Sequence, residues 1–518
     1  MEIKSETSYL RNTRCADVYT ESTVDYSLPD YLGDVRKILF TDASIRPSGK
    51  FAGGDEVEFT GLVVYNLIYL DSEGNLSSAE FNSDYEYTVK CSGEGYRDSL
   101  ADTKLSSYTI RLAGPRRVSA RASIVGSARV CEEGKICLSG NALKPDLAPE
   151  VSTGVALVRE SRISSTVERE VAERILELEG AIADEVSVIY SLAEPIIEGV
   201  SCEDDSVTVK GRLRVNALVK SEEQAGFGVE KFLPFEEKID FDHGTSSELI
   251  NPKVSVSSLK LTVNPTENGC DLVADCVMEI CLVAECNQSL ELLRDAYLKT
   301  ASTENSYDDF RYHSLVGSSS AKGTHNAELD RSALESENLR EIVLMTATPK
   351  VDRVELADGK VNILGEIRYS GIASEQTEDK ISYVSIKTSS PFATNVNINC
   401  QTHSNMRVNC HATAFDSEIK ITENDAMCSC DLILGVSLSS EKRQRCLGAS
   451  NLTDEEYATD ASVVTVYYPD ASESLFEIAK RFHTSVSAIA VSNRLSESAL
   501  ASLERPLGAV GVNKLIIK

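Results

Sequence analysis

The sequence lacks any long hydrophobic run. Its first ten residues are mostly polar and contain no apolar segment of the kind found in signal peptides. No later stretch reaches the roughly 18 consecutive apolar residues that a membrane-spanning helix requires. The sequence therefore predicts a cytoplasmic protein without an integral membrane segment.

Positive charge is also scarce. The 518 residues include 52 Lys and Arg against 81 Asp and Glu, which gives a formal net charge of −29. Such a surface repels phosphate backbones and anionic lipid heads, so neither nucleic acid nor a membrane surface is expected as the main partner. The 14 cysteines are too dilute for a secreted disulfide scaffold, and we expect free thiols in a reducing cytosol.

Motifs of catalysis and cofactor binding are missing. The chain has no phosphate-binding loop, no H-E-x-x-H zinc motif, no G-x-S-x-G nucleophile elbow and no EF-hand loop. Acidic pairs are too common here to indicate acid–base catalysis. We therefore expect no enzyme activity and no cofactor, and an enzyme of an unrecognised type is the least favoured alternative.

One group of cysteines and histidines could in principle form a metal site. Its members are Cys400, Cys410, Cys428 and Cys430, with His403 and His411 nearby. Their spacing lacks the C-x-x-C knuckle of zinc sites, and cysteine is a good small residue for a core. The sequence favours structural thiols here, and likewise at a second set, namely Cys270, Cys276, Cys281 and Cys286.

What the chain does contain is a pattern that occurs three times. Residues 57–65, 207–215 and 361–369 alternate apolar and polar positions around a central Gly61, Gly211 or Gly365. An apolar pair lies 23 residues before each glycine and is followed by a shared alanine. The pairs are Ile38-Leu39, Val188-Ile189 and Ile342-Val343, and the alanines are Ala43, Ala193 and Ala347. Alternation predicts strands, a strand glycine marks a bulge or a close backbone approach, and the long period predicts a duplicated globular domain rather than a solenoid.

Short alternating runs separated by turn residues predict a mainly β fold with short helices. We expect three repeated antiparallel domains of sandwich or barrel-like form, at residues 1–150, 151–297 and 336–440. Residues 298–335 and 441–462 are expected to be linkers because they are polar and lack a period. Ser165 with Glu168 gives a capping-box signal, and residues 165–180 are expected to form the clearest helix outside the C-terminus.

A different pattern covers residues 463–518. A short strand is predicted at residues 464–467, and Ser474 with Glu477 predicts a capped helix whose apolar stripe includes Leu475 and Ile478. A second helix is expected after Thr484 or Ser485, and residues 514–518 are expected to form a closing strand. His483, on the turn between the helices, is expected to be a solvated surface residue.

This strand–helix–helix–strand order resembles a LysM domain. The residues that carry the resemblance are Ser474, Leu475, Ile478, Ala479, Thr484, Ser485, Val486, Ile489, Asn493 and the closing Leu515 to Ile517. LysM modules that bind peptidoglycan or chitin usually carry a Gly-Asp-Thr turn before the first helix. Here residues 470–474 read Asp-Ala-Ser-Glu-Ser, and the missing glycine and extra acid argue against glycan binding.

Three β-rich domains followed by one LysM resemble the SPOCS-domain plus LysM spore coat morphogenesis proteins (SipL-like) of Clostridia. Pro29 and Asp30, with the run that ends at Leu39, look like the signature of the SPOCS repeat. The resemblance implies a non-enzymatic scaffold or adaptor in the mother cell, at the forespore surface and in the spore coat. Its implied partners are the morphogenetic coat ATPase, docked through the LysM, and other coat proteins.

Under this resemblance five positions of the LysM are expected to be exposed and to face the partner. They are Ser472, Glu473, Ser474, Asn493 and Arg494, while Leu475, Ile478, Ile489 and Ile516 are expected to hold the module together. The alternative is a cell-wall protein that binds peptidoglycan through the LysM, with the β domains as spacers.

Overall fold

Most of the chain forms antiparallel β-sheets in the computed structural model, and the predicted mainly β architecture is confirmed. The structure describes residues 5–518 except 92–95, 222–225, 243–246, 330–338, 378–379, 402, 404, 422–425, 458–463, 471, 496–506 and 508–511. Among these residues, no helix is both long enough and apolar enough to cross a membrane.

The first unit of the fold consists of two sheets. Its strands are β1 (Glu6–Arg14), β2 (Val18–Ser27), β3 (Val35–Gly53), β4 (Glu56–Asp71), β5 (Leu76–Lys90), β6 (Tyr96–Gly114) and β7 (Arg117–Cys137). One sheet has the order β3-β4-β5, and in the other β7 pairs with β1 and β2 on one side and with β6 on the other. Because β2 lies beside β5 and β3 beside β6, the sheets close around one core.

The second unit has the same order of pairing. Its strands are β8 (Glu150–Ile163), β9 (Val167–Glu179), β10 (Ser187–Glu203), β11 (Ser206–Lys220), β12 (Phe227–Asp240), β13 (Ser247–Thr266) and β14 (Gly269–Tyr297). β10, β11 and β12 form one sheet, and β14 pairs with β8 and β9 on one side and β13 on the other. Short 3₁₀ turns lie at Asn141–Leu143, Pro145–Leu147 and Ala183–Glu185.

The third unit differs in one strand. Its strands are β15 (Ala301–Leu329), β16 (Leu339–Ala357), β17 (Lys360–Thr377), β18 (Lys380–Asn397), β19 (Met406–Ile421) and β20 (Ala426–Glu456). The sheets are β16-β17-β18 and β15-β20-β19. β15 pairs with β20 over its whole length and so takes the place that β1 and β2, or β8 and β9, share in the other units.

Two predicted linkers are therefore wrong. Residues 298–335 were expected to be flexible, yet β15 occupies Ala301–Leu329, since a polar strand is held by backbone pairing to the apolar β20. β20 likewise runs through the predicted linker 441–462 as far as Glu456, and residues 458–463 lie outside the described part. The third unit spans residues 301–456 rather than 336–440.

The predicted helix at residues 165–180 is also wrong, because Val167–Glu179 form strand β9. The apolar residues Val167, Val171 and Ile175 are four apart. That spacing places them on one face of a helix but equally on one face of a strand. Pairing with β14 decides for the strand, and this face packs on the core of the second unit.

The glycines of the sequence pattern lie at equivalent places in the three-stranded sheets. A Cβ at Gly61 would lie 2.5 Å from the carbonyl oxygen of Arg46 and 2.6 Å from the ring of Tyr85, which is the cross-strand partner of Gly61. The other two glycines face a carbonyl and an aromatic ring in the same way, namely Gly211 with Ile196 and Phe235, and Gly365 with Lys350 and Phe392. Each central strand thus has room only for glycine at this position.

The apolar pairs also lie at equivalent places. The register of the first and second strands shifts between Ile38 and Phe40, between Val188 and Tyr190, and between Ile342 and Leu344. Such shifts are β-bulges, which turn a side chain out of the regular alternation. The bulged residues are Leu39, Ile189 and Val343, and they reach a cluster shared by all three units.

This shared cluster joins the three-stranded sheets. β5 lies beside β10, β12 beside β16 and β18 beside β3, so the sheets form a closed ring. At the first joint the Ser78 hydroxyl donates to the carbonyl oxygen of Ile189. At the second, Gly228 lies against the carbonyl oxygen of Val343, which a Cβ would approach to 2.4 Å. The central residues are Leu39, Phe40, Ile68, Leu70, Leu76, Tyr190, Leu218, Val343, Leu344, Ile372 and Tyr383.

A second apolar cluster joins the units at the ends of their long strands. Tyr9 of β1 packs edge-on against Phe310 of β15 with 5.3 Å between ring centroids. Val158 of β8 and Leu292 of β14 complete the contact from the second unit. The buried carboxylate of Glu285 binds the guanidinium groups of Arg129 and Arg159 and so links the first unit to the second.

The last described part, from residue 464, is called the C-terminal module. Its elements are β21 (Thr465–Tyr467), α1 (Leu475–Arg481), α2 (Val486–Asn493) and β22 (Leu515–Ile517). β21 and β22 pair antiparallel.

Substituting Gly365→Ala should lower the free energy of unfolding by about 1–3 kcal/mol, because the new methyl group would lie 2.2 Å from the Lys350 carbonyl oxygen and force the strands apart. The measurement is urea denaturation of the full chain. Gly323→Ala is the matched control, since Gly323 of β15 has open space around it and should change stability by under about 0.5 kcal/mol. Equal effects of the two substitutions would contradict the close-approach interpretation.

Asp42 of β3 provides a pH-dependent test of the first joint. Burial raises the pKa of its carboxyl, despite a hydrogen bond from the Ala43 backbone, and burial also raises the pKa of Glu194 on β10. A carboxyl whose pKa is raised on folding stabilises the fold only when protonated, so its contribution is lost as pH rises from about 4 through the raised pKa.

We expect Asp42→Asn to raise the melting temperature at pH 8, with an advantage over the unchanged protein that shrinks as pH falls toward about 4. Thermal melts between these pH values give the measurement. Asp25→Asn, at an exposed position of β2, serves as the control and should track the unchanged protein. A destabilised Asp42→Asn at pH 8 would show that the carboxylate supports the joint instead.

Candidate functional site: the C-terminal module

The first helix of the module begins as the sequence predicts. The Ser474 hydroxyl accepts a hydrogen bond from the Glu477 backbone N–H at 3.2 Å, and the Glu477 carboxylate accepts one from the Ser474 N–H at 2.8 Å. This reciprocal pair satisfies two donors that a helix start leaves open. Of the two predicted caps for α2, Ser485 is the one used, because its hydroxyl accepts from the Ala488 N–H at 3.1 Å. The predicted capping box is confirmed.

The core of the module lies between the helices and the strand pair. Leu475, Ile478 and Ile489 are buried in it as predicted. Ile516 is only half-buried, and its neighbours Leu515 and Ile517 face the helices instead. The predicted role of Ile516 is therefore wrong by one register step, since successive residues of a strand point to opposite faces.

The turn before α1 is held together by an inward-facing carboxylate. Glu473 accepts hydrogen bonds from the Tyr467 hydroxyl at 2.8 Å and the Asp470 N–H at 3.0 Å, and pairs with Arg481 at 2.6 Å. Burial alone would raise the pKa of Glu473, but these hydrogen bonds outweigh it and lower the pKa below its usual value. The carboxylate is therefore ionised at neutral pH and serves the fold of the turn.

Asn493 at the end of α2 connects the second helix to the closing strand. Its amide nitrogen donates to the carbonyl oxygens of Ile489 and Ile516 at 2.8 and 2.7 Å, and its oxygen accepts from the Ile516 N–H at 2.6 Å. Arg494 follows in the left-handed conformation with φ 53° and ends the helix.

The structure does not bring the five predicted partner-facing residues together as an exposed patch. Ser472 and Arg494 are exposed. Ser474 is buried as the helix cap, and the Glu473 side chain is only 13% exposed. Asn493 is half-buried and bonded inside the module. The prediction of exposure is wrong for Ser474, Glu473 and Asn493, because these residues satisfy backbone groups at helix ends and turns.

The exposed apolar residues of the module lie elsewhere and were missed. Val464, Val466 and Tyr468 are 60%, 50% and 69% exposed, and their alternate spacing places them on one side of β21. Within the described residues β21 pairs with β22 alone, so its other edge keeps free backbone groups. Val491 of α2 is also exposed. The alternation of apolar residues at positions 464, 466 and 468 is the sequence signal that could have identified this exposed side.

The opposite side of the module is fixed to the β units. The ring of Tyr297, at the end of β14, packs edge-on against Phe476, and its hydroxyl donates to the Thr484 carbonyl oxygen at 2.7 Å. Lys480 pairs with Asp295 at 2.6 Å. His483 is exposed, as predicted, and one side of its ring stacks on Tyr457 with 3.5 Å between ring centroids.

The cysteines that could have bound a metal lie mainly in a core. Cys428 and Cys430 are buried in the third unit, and the Tyr369 hydroxyl donates to the Cys430 sulfur at 3.4 Å. Cys400 and Cys410 are half-buried. Within the described residues, no group of three or more His, Cys, Asp or Glu side chains could hold a metal ion.

Comparison of the chain with protein-family models, curated proteins and solved structures finds no match. The exposed chemistry of the module is therefore the guide to what it can bind. An apolar strand side with an open edge suits an extended or apolar protein segment better than a polar sugar.

Asn493→Ala should loosen the module without affecting the β units, because it removes three internal hydrogen bonds and leaves the Ile516 N–H unpaired, at a cost of about 1–3 kcal/mol. Hydrogen–deuterium exchange of the full chain is the measurement: amides of α1 and α2 should exchange faster, and those of β11 should not change. Ser472→Ala, at an exposed position, is the control. Unchanged exchange in Asn493→Ala would show that Asn493 does not hold the module together.

Proposed function

We propose that this protein is a non-enzymatic scaffold for assembly of the spore coat around the forespore. In this proposal the three units are copies of one SPOCS-like domain and the C-terminal module is a LysM domain. The module docks a morphogenetic coat ATPase, and the units present surfaces for other coat proteins. The protein acts in the cytoplasm of the mother cell.

The observation that carries the proposal is the way the C-terminal module is mounted. One side is fixed by Tyr297, Asp295 and Tyr457, while the apolar side of β21 faces away from its own core. A module that is held in place and has an apolar strand with a free edge is suited to bind another protein. Because the module is already ordered, little further conformational entropy is lost on binding.

The β units support the scaffold part of the proposal. Equivalent glycines, bulges and joints in three units are expected if one domain was copied, and the sequence resemblance to the SPOCS repeat begins at Pro29. The closed ring of sheets holds the units in fixed relative positions. Such a body can display several binding surfaces at defined distances.

The turn before α1 weighs against the alternative of peptidoglycan binding. In glycan-binding LysM modules this turn carries Gly-Asp-Thr, whereas here Glu473 points inward to Tyr467 and Arg481 and Ser474 is buried. The polar groups of the turn are therefore used within the module. We propose protein docking in preference to glycan docking for this reason.

A pull-down from sporulating cells tests the proposal. The full chain should recover the coat ATPase, and Val466→Asp should reduce recovery about tenfold or more, because a charge cannot enter an apolar contact without losing its hydration. Val155→Asp is the matched control, since Val155 is 58% exposed on β8 and should leave recovery unchanged.

Sedimentation with insoluble peptidoglycan tests the alternative function, peptidoglycan binding. Recovery of the full chain with peptidoglycan, together with no recovery of any coat protein, would overturn the scaffold proposal in favour of a cell-wall protein. Tagged full chain and a chain ending at residue 462 can also be followed in sporulating cells. We expect only the full chain to encircle the forespore.

A further inference from the structure

A cleft beside the C-terminal module concentrates positive charge in a protein whose net charge is −29. It has a volume of about 400 Å³. It is lined by Arg294, Asp295, Tyr307, Arg443, Gln444 and Arg445. Three of these six residues are arginines and one is a carboxylate. In the whole chain, by contrast, acidic residues outnumber Lys and Arg by 81 to 52.

The pairing of β15 with β20 places the cationic groups together. Arg311 lies directly opposite Arg443, and Asp309 lies opposite Arg445. Like charges directly opposite each other on neighbouring strands destabilise a sheet. Asp309 accepts a hydrogen bond from Arg443, and this bond, with the charges of Arg443, Arg311 and Arg445, lowers the pKa of Asp309. The single carboxylate of Asp309 therefore offsets the charge of three guanidinium groups, those of Arg311, Arg443 and Arg445.

The carboxylate that lines the cleft, that of Asp295, is already engaged. One oxygen of Asp295 accepts from the Tyr307 hydroxyl and the Asn305 amide, each at 2.8 Å. The other oxygen pairs with Lys480 at 2.6 Å. Asp295 thus anchors the C-terminal module and does not balance the arginines. Glu441, the next residue on the Arg443 face, lies in register with His313.

One further contact orients a donor in the cleft. The Arg445 guanidinium lies 3.7 Å from the centroid of the Tyr307 ring, which holds its planar fork in place while leaving its edge for hydrogen bonds. The side chain of Gln444 leaves the opposite face of β20, where its partner in register is Phe310, so it is not counted among the donors of the cleft.

We propose that this cleft binds an oxyanion of the phosphate type, with the guanidinium groups of Arg443 and Arg445 as donors. Planar guanidinium groups match the tetrahedral oxygens of phosphate by paired hydrogen bonds. A phosphoryl group carries a charge of about −1.5 to −2 at neutral pH, which offsets the excess of positive charge better than one carboxylate does. Free phosphate and a phosphorylated side chain of another protein offer this same chemistry, and the titration below distinguishes them.

Calorimetric titration of the full chain at constant ionic strength tests this proposal. The probes are inorganic phosphate, N-acetyl-O-phosphoserine amide and, as the uncharged counterpart, N-acetylserine amide. The first two should bind saturably, and Arg443→Gln with Arg445→Gln should weaken them about tenfold or more, since hydrogen bonds to charged groups are the strong ones. Arg445→Lys should give an intermediate loss because it keeps the charge but not the fork.

Arg121→Gln is the matched control. Arg121 is 61% exposed and paired with Glu21, as Arg443 is 61% exposed and paired with Asp309, so the two substitutions remove similar surface ion pairs. Thermal melts check that each variant is folded. Tighter binding of phosphoserine than of phosphate would identify a phosphorylated protein as the source. No saturable binding to the unchanged chain, or equal binding by the Arg443→Gln, Arg445→Gln variant, would overturn the proposal.

Discussion

The close approach of backbone to glycine in the central strands is the constraint on which the rest of the β structure depends. At Gly61, Gly211 and Gly365 a carbonyl oxygen and an aromatic ring occupy the space of a Cβ. The approach is accompanied in each sheet by a register shift near the glycine and another at the apolar pair. These bulges bend the first strand and turn Leu39, Ile189 and Val343 toward the neighbouring units. The ring of sheets follows from these local distortions.

Much of this could be predicted from the sequence where the pattern is strong. Alternation in residues 57–65, 207–215 and 361–369 gave the correct central strands, and the glycines marked real close approaches. The strand β15 could not be found in this way, because its exposed residues are mostly polar or charged and its stability comes from pairing with β20. β9 was mistaken for a helix because a spacing of four residues fits both periods.

In the C-terminal module, too, some features could be predicted from the sequence and others could not. Local chemistry, such as the bonds between Ser474 and Glu477, is encoded within a few residues and was predictable. Exposure was not, because it depends on which polar groups are already used inside the module. Glu473 and Asn493 look like surface residues in the sequence, yet their hydrogen bonds to Tyr467 and to the Ile516 backbone draw them inward. The cleft between Arg294 and Arg445 depends on the meeting of β14 with β20 and is invisible to a local pattern.

Closure of the ring has a consequence for synthesis of the chain. β3 of the first unit rests against β18, which emerges from the ribosome more than three hundred residues later. Until then Leu39 and Phe40 are left without the apolar neighbours supplied by Val343 and Ile372. Incomplete chains therefore expose an apolar surface that attracts chaperones or other nascent chains. The surface is covered only after the chain has been made through β18, so the ring cannot close before the third unit is present.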